Sequence, residues 1–411
     1  MPPKQDVYYL PYLSANYRHF IGNSSAIRYE NEYNTLMTES WQPQYAITPQ
    51  LAGWLMEIAS ARVVVELTLL PPAVEAELRQ QARIRATHYS TRIEGNRLTL
   101  EQAGQVIQQK GIAIRGWERD VREVRNYWDA LLRVEDWAAQ GKPLTDDLIR
   151  RLHALVEYGA RGKPSPYRDG QNVIRDSLSG ESVYLPPEAR DVSGLMAALV
   201  HWVNQSEKEK IPIPLVAGLA HYQFVTIHPY YDGNGRTARL LATFLLHRGG
   251  YGLNGFFSLE EYHARDLENY YGALVVHPHH NYYEGRAGAD LTPWLVYFVS
   301  LLADVFRAAR QETLSLKNAP PVLEPEALRR LDHRARLVLG LFAKQDTITG
   351  PQVAVMLGLS ERMVRNLMQE WVGQSWLVVA DKSRRKRAYE LSAIYRQYIG
   401  GLSAMTLKRK E

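Results

Sequence analysis

One string of twelve residues constrains this chain more than any other feature. His228-Pro-Tyr-Tyr-Asp-Gly-Asn-Gly-Arg-Thr-Ala-Arg239 lies between two apolar helical patterns, PLVAGLAHYQFV before it and RLLATFLLHRGG after it. Gly233, Asn234 and Gly235 let the backbone approach a ligand closely where the second helix begins. Exposed N–H groups and the positive end of the helix dipole there form an anion site. Arg236 and Arg239 are three residues apart, hence neighbours on one helix face, at an end where cations are disfavoured unless an anion compensates. Their placement asks for a polyphosphate. Asp232 can hold a hard cation such as Mg²⁺ that bridges phosphate oxygens. His228 sits at the end of the preceding helix, where a neutral imidazole takes a proton from an incoming hydroxyl. A plain helix connection with a structural histidine and two solvated arginines would explain the glycines alone. It does not explain base, cation ligand, anion loop and guanidinium pair in one register.

The rest of the chain sets the frame. At 411 residues it is too long for one small core, and one large domain with an appendage is expected. Apolar content of 45% and charged content of 23% are globular values. There are no cysteines, which removes disulfides, thiolate metal sites and cysteine nucleophiles. The formal charge of 49 − 44 = +5 argues only weakly for nucleic acid. No apolar run approaches the ~20 residues that span a bilayer, and MPPKQDVYYLPYL is no leader, so a cytoplasmic protein without a membrane partner is expected.

Along the chain the pattern is mainly helical. Residues 1–50, rich in Tyr, Asn, Pro and Gln, form an N-terminal arm; helical periodicity fills 51–112 and continues through a catalytic region at 113–315. Thr99 with Gln102 predicts a capping box, and Thr145 predicts an N-cap. Val173 and Ile174, a turn-rich DSLSGES, and Val183 to Leu185 predict a β-hairpin interrupting the helices. A proline-punctuated linker at 316–329 leads to a unit at 330–400 with the grammar of a winged helix-turn-helix, Gly358 in its turn and Ser360 capping its third helix; a basic tail, 401–411, follows. Lys382, Arg384, Arg385, Lys386 and Arg387 in the wing, with Arg362 and Arg365 on the third helix, suit either DNA or a protein partner.

The twelve-residue string resembles the Fic signature, HPFxDGNGRxxR, with Tyr230 in place of the usual Phe. The resemblance implies a Fic-type helical bundle with a β-hairpin flap, and a nucleotidyltransferase that moves AMP from ATP onto protein hydroxyls with Mg²⁺ as cofactor. It assigns His228 as the base and Asp232 to the metal. Gly233, Asn234 and Gly235 become the anion hole, and Arg236 and Arg239 bind phosphate. Ser90-Thr-Arg-Ile-Glu94-Gly95 resembles the family's inhibitory motif, which implies that Glu94 pairs with Arg239 and keeps the nucleotide from binding productively. Tyr270 and Tyr271 resemble the residues that line the base pocket. Pro278 stands where an Asn is usual, with Asn281 nearby as a substitute. The segment 172–187 resembles the flap that clamps an extended target strand. The histidines at 277, 279 and 280 are read as a solvated loop.

The expected function is therefore an autoinhibited protein adenylyltransferase acting on Ser, Thr or Tyr of other proteins and of itself. The alternatives are a DNA-binding regulator whose Fic domain senses nucleotide, or a Fic enzyme acting in de-AMPylation or with another donor such as UTP. Many relatives dimerise, which extends the expectation to a homodimer.

Overall fold

A computed structural model describes residues 7–9, 41–108, 116–160, 162–175, 182–318, 331–343, 345–357, 359–381, 383 and 387–396. The chain divides into two compact units, the larger formed mainly by residues up to Leu314 and the smaller mainly by residues from Ser315 onward.

The larger unit is a helical bundle. Helix α1 (Pro49–Leu67) starts where the Thr48 hydroxyl accepts from the Leu51 amide, and α2 (Pro72–Ile93) follows. The Thr99 and Gln102 side chains accept from each other's backbone N–H at 3.2 and 2.9 Å, the expected capping box of α3 (Leu100–Gln108). Then come α4 (Glu118–Ala139) and α5 (Asp146–Tyr158), the latter capped by Thr145. After the hairpin, α6 (Ala189–Lys208), α7 (Ile213–Ile227) and α8 (Asn234–Arg248) complete the centre. Short helices α9 (Leu259–Arg265) and α10 (Leu267–Ala273) lead to α11 (Thr292–Asn318).

Helix α7 is buried on almost every face because its neighbours surround it. Gly218 is what lets α11 approach: a Cβ there would lie 2.8 Å from the Phe298 ring, and the Trp294 indole N–H donates to the Gly218 carbonyl at 2.8 Å. Residues 292–317 are long and apolar enough to cross a membrane by length and composition. Here Trp294, Leu295, Phe298, Leu302 and Phe306 spend that apolar surface in the core, each with no exposure.

The hairpin expected from the sequence is present as β2 (Asn172–Arg175) and β3 (Ser182–Tyr184), antiparallel; its tip, 176–181, lies outside the described residues. A third strand was not anticipated. Within the segment read as an irregular arm, β1 (Val7–Tyr9) pairs antiparallel with β2 in the register Val7↔Ile174, Tyr8↔Val173, Tyr9↔Asn172. Three residues carry no periodicity to read, and their partner lies far along the chain. At the other end of the arm, Gln44 bridges to Asp290 and the Trp41 ring packs edge-on against Trp202. The remainder, 1–6 and 10–40, is outside the described residues.

The smaller unit has α12 (His333–Leu339), β4 (Thr347–Thr349), α13 (Gly350–Leu357), α14 (Glu361–Gly373), β5 (Leu377–Asp381) and β6 (Ala388–Leu391). Its antiparallel sheet has the order β4-β6-β5, as in a winged helix. Trp371 and Trp376 anchor its core with Val338, Ile348 and Val353, and Ser360 caps α14. Gly358, Lys382, Arg384, Arg385, Lys386, most of the linker and the basic tail lie outside the described residues.

Phe298→Ala removes a fully buried ring from the α7–α11 contact. A loss of about 3–5 kcal/mol in urea unfolding is expected; a loss below about 1 kcal/mol would show that this contact is not core.

Candidate active site

The site is built where α7 stops and α8 starts. His228 closes α7 in the left-handed region, at φ 50° and ψ 59°, a conformation that costs a non-glycine residue and persists only where its surroundings hold it. Arg168 does the holding: its Nε donates to the His228 carbonyl at 3.0 Å, its backbone N–H donates to the Pro229 carbonyl at 2.9 Å, and its Nη1 donates to the Gly170 carbonyl at 2.9 Å. The His228 ring is 3.3 Å through Nδ1 from the Val225 carbonyl. A carbonyl can only accept, so Nδ1 carries the proton and Nε2 keeps a free lone pair. Burial pushes the imidazole pKa down to about 4, so the ring is neutral at pH 7.

The loop that follows is closed on itself. Asn234 accepts from the Tyr230 amide at 3.0 Å and donates to the Tyr230 carbonyl at 2.8 Å, which commits its side chain to the loop and leaves its backbone N–H at the helix start. Gly233 caps α8 at φ +75° and has a second reason to lack a side chain, since a Cβ there would sit 2.5 Å from a Glu157 carboxylate oxygen. A Cβ on Gly235 would collide with the Glu94 carboxylate. The Tyr230 ring stacks on the His153 imidazole with centroids 3.6 Å apart, so the aromatic anchor does more than fill space.

Carboxylates occupy the anion loop. Asp232, exposed at its mouth, accepts from the Gly233 N–H at 2.6 Å and from Arg236 at 3.1 Å. Desolvation, which would raise its pKa, is outweighed by the Arg236 guanidinium and the Gly233 N–H, so its carboxyl lies below the usual range. The same Nη2 of buried Arg236 also lies 2.9 Å from Glu157 Oε1. Desolvation raises the Glu157 pKa against the pull of Arg236.

Arg239 is 1% exposed. Its Nη2 donates to Glu94 Oε1 at 2.8 Å and to the Ser90 carbonyl at 2.9 Å, and its Nε donates to the Ser90 hydroxyl at 2.9 Å. Burial alone would lower its pKa; the Glu94 carboxylate more than reverses this and raises it. Gly95 takes the left-handed conformation at φ +88° and ends α2, and its N–H bonds back to the Arg92 carbonyl. One Glu-Gly pair thus serves as helix cap and as ion-pair partner together.

Tyr270 is buried with its hydroxyl 3.2 Å from His221 Nε2, whereas Tyr271, 5.2 Å away between ring centroids, is half-buried. Asn281 caps the next turn, accepting from the Tyr283 amide at 3.1 Å, and so is engaged locally. His280 bonds through Nδ1 to the Val183 carbonyl at 2.7 Å. Nothing in the sequence pattern points to Arg168, His153 or Glu157. His153 bridges Ser165 Oγ and the Asp232 carbonyl at 2.7 and 2.9 Å, yet in sequence it is one polar position among several in an amphipathic helix.

A left-handed histidine thus stands before a glycine-capped helix with two buried arginines in its first turns, all within a helical bundle. The profile of the Fic/DOC family matches residues 143–246, which span the hairpin and this loop. Proteins named protein adenylyltransferase Fic from Drosophila grimshawi and Drosophila melanogaster are 32% and 31% identical over 174 residues, 42% of this chain. The chain spans about a third of the length of these curated relatives, 35% and 34%. A crystal structure of a Fic family protein from Desulfovibrio desulfuricans superposes with a TM-score of 0.55 at 26% identity, covering 86% of this chain and 99% of that one. Fic-1 from C. elegans shares the fold at a TM-score of 0.51 and 23% identity, over 72% of this chain and 78% of its own. Residues 143–246 of this chain match the Fic/DOC family, and the chain is similar to known protein adenylyltransferases and to Fic family structures.

Burial lowers the pKa of His88, His153 and His228 to about 4 and of His221 to about 3. An unfolded histidine titrates near ~6.5, so the unfolded chain binds more protons between those values. Their contribution to stability is whole above pH ~6.5 and falls as pH drops toward ~4. Melting temperature measured against pH is expected to decline through that window; a flat profile down to pH ~4.5 would contradict the burial of these rings.

Proposed function

We propose that this chain is a protein adenylyltransferase that moves AMP from ATP to a Ser, Thr or Tyr hydroxyl of a protein, itself included, and that Glu94 restrains it. The observation that carries this reading is the Arg239–Glu94 pair, 2.8 Å long and set in the first turns of the helix that follows the base and the anion loop. A carboxylate stands where a terminal phosphate would neutralise that guanidinium.

In the proposed reaction the target hydroxyl gives its proton to His228 Nε2. The oxygen attacks the α-phosphorus, a new P–O bond forms, and the bond to the bridging oxygen breaks as pyrophosphate leaves. The N–H groups around Gly233, Asn234 and Gly235 stabilise the charge that develops on phosphate oxygens, and Arg236 and Arg239 hold the chain of phosphates. Asp232 offers a hard, exposed oxygen ligand of the kind Mg²⁺ prefers, with phosphate oxygens completing the set. The ion, when bound, would neutralise phosphate charge and help pyrophosphate leave. Tyr271 and Tyr270 would face the base, and the β2–β3 hairpin would dock an extended target segment.

The test uses ATP labelled on the α-phosphate with wild type, Glu94→Gly and Glu94→Gly/His228→Ala. Label on protein is expected to be weak in the first, stronger by roughly tenfold or more in the second, since each ~1.4 kcal/mol is tenfold, and absent in the third. No label in Glu94→Gly would contradict the reading.

A second role rests on the smaller unit. Arg362 and Arg365 are exposed on α14, where a winged helix presents its recognition surface. Duplex binding that weakens steeply with salt and with Arg362→Ala/Arg365→Ala would support a DNA contact.

A further inference from the structure

Strand β2 has two edges, and both are taken. On one side β2 pairs with β3, Ile174 opposite Tyr184. On the other it pairs with this chain's own residues Val7, Tyr8 and Tyr9. Beyond β3, residues 280–282 already bond to Val183 and Leu185, so an extended target segment adding to the hairpin would need the outer edge of β2, because strand addition works by completing unpaired backbone N–H and C=O groups. That edge offers none along the three paired positions. The register also places the occupant. Tyr9 lies opposite Asn172, whose side-chain amide donates to the Tyr230 carbonyl at 3.2 Å, two residues beyond His228. The strand's inner end is thus at the start of the catalytic string.

We propose that residues 7–9 are a resident strand on the target-docking edge, which an incoming extended polypeptide displaces in order to reach His228. The proposal rests on reading the hairpin as a docking edge. The occupant is suited to the task. Val-Tyr-Tyr has strong β preference, so it pairs readily, while three residues make too short a strand to hold the edge alone. Its hold comes from being tethered, which gives it a high effective concentration beside β2. A longer strand, or one with more favourable side chains, outcompetes it, and short or ill-matched segments do not. The N-terminal segment therefore sets a threshold for access, separate from the Glu94 contact that controls the nucleotide.

The resident strand can be weakened without touching the site. Successive backbone N–H groups of a strand point to opposite edges, so one of Val7 and Tyr8 directs its donor to β2, and proline at both positions removes it whichever it is. The full chain carrying Val7→Pro/Tyr8→Pro is compared with wild type in the absence of nucleotide. The probe is a fluorescein-labelled peptide of residues 4–14, KQDVYYLPYLS, followed by anisotropy. The variant is expected to bind it more tightly by roughly tenfold or more. Backbone amides within 172–175 are expected to exchange faster in the variant and to regain protection when peptide is added. Equal peptide affinity for the two chains, or unchanged exchange in β2, would overturn the proposal. Peptide discrimination in a chain whose Glu94→Gly form transfers no label supports the resident strand and removes the enzymatic reading. Label transfer without discrimination does the reverse.

Discussion

The arrangement depends on how the chain neutralises Arg239. A guanidinium with 1% exposure must have a counter-charge and filled hydrogen bonds, because an uncompensated buried ion is strongly destabilising. Glu94 supplies the charge, and the Ser90 carbonyl and hydroxyl supply two further acceptors. Both come from the end of one helix, so the geometry that caps α2 also satisfies α8. In the proposed function a polyphosphate competes for the same guanidinium. The resting protein has in effect bound its own anion.

The same logic runs through the neighbouring groups. Asp232 accepts from the Gly233 N–H and from Arg236, and Glu157 pairs with the same Arg236 nitrogen. The Gly233 N–H, Arg236 and Arg239 thus each have a carboxylate in attendance. Glu94 follows the end of α2, 145 residues from Arg239, and bonds to no group of the loop's own backbone, so it can be displaced without dismantling the loop. Taking it away leaves Arg239 uncompensated, which is expected to cost the ligand-free fold stability of about 3–5 kcal/mol. Loss of restraint and loss of stability are then two readings of one ion pair, and an anion restores the second.

Much of this was legible in the sequence because the relevant residues are close together or carry local grammar. His228 to Arg239 is contiguous, the Thr99 and Thr145 caps are spelled out within four residues, and the hairpin and the winged unit announce themselves through turns and β-branched runs. What escaped depends on residues distant in sequence. Arg168 anchors His228 from across 60 residues, and His153 stacks on Tyr230 although nothing around it departs from an ordinary amphipathic helix. The strands Val7–Tyr9 and Thr347–Thr349 are too short to show a period of two, and they exist because a partner strand presents an open edge. The substitution of Tyr for Phe at 230 was visible, but not its consequence: the ring stacks as Phe would, while its buried hydroxyl meets no protein partner among the described residues.

Restraint by Glu94 requires that Glu94 and nucleotide compete for Arg239. The direct measurement is calorimetric titration of ATP with Mg²⁺ into wild type and into Glu94→Gln, which keeps the shape of the side chain and removes its charge. Competition predicts that the neutral variant binds more tightly by roughly tenfold or more, as expected when a charge-assisted pair of ~1.5–3 kcal/mol is given up. Equal affinity in the two proteins would contradict it, and would leave the ion pair as a structural link between α2 and α8 alone.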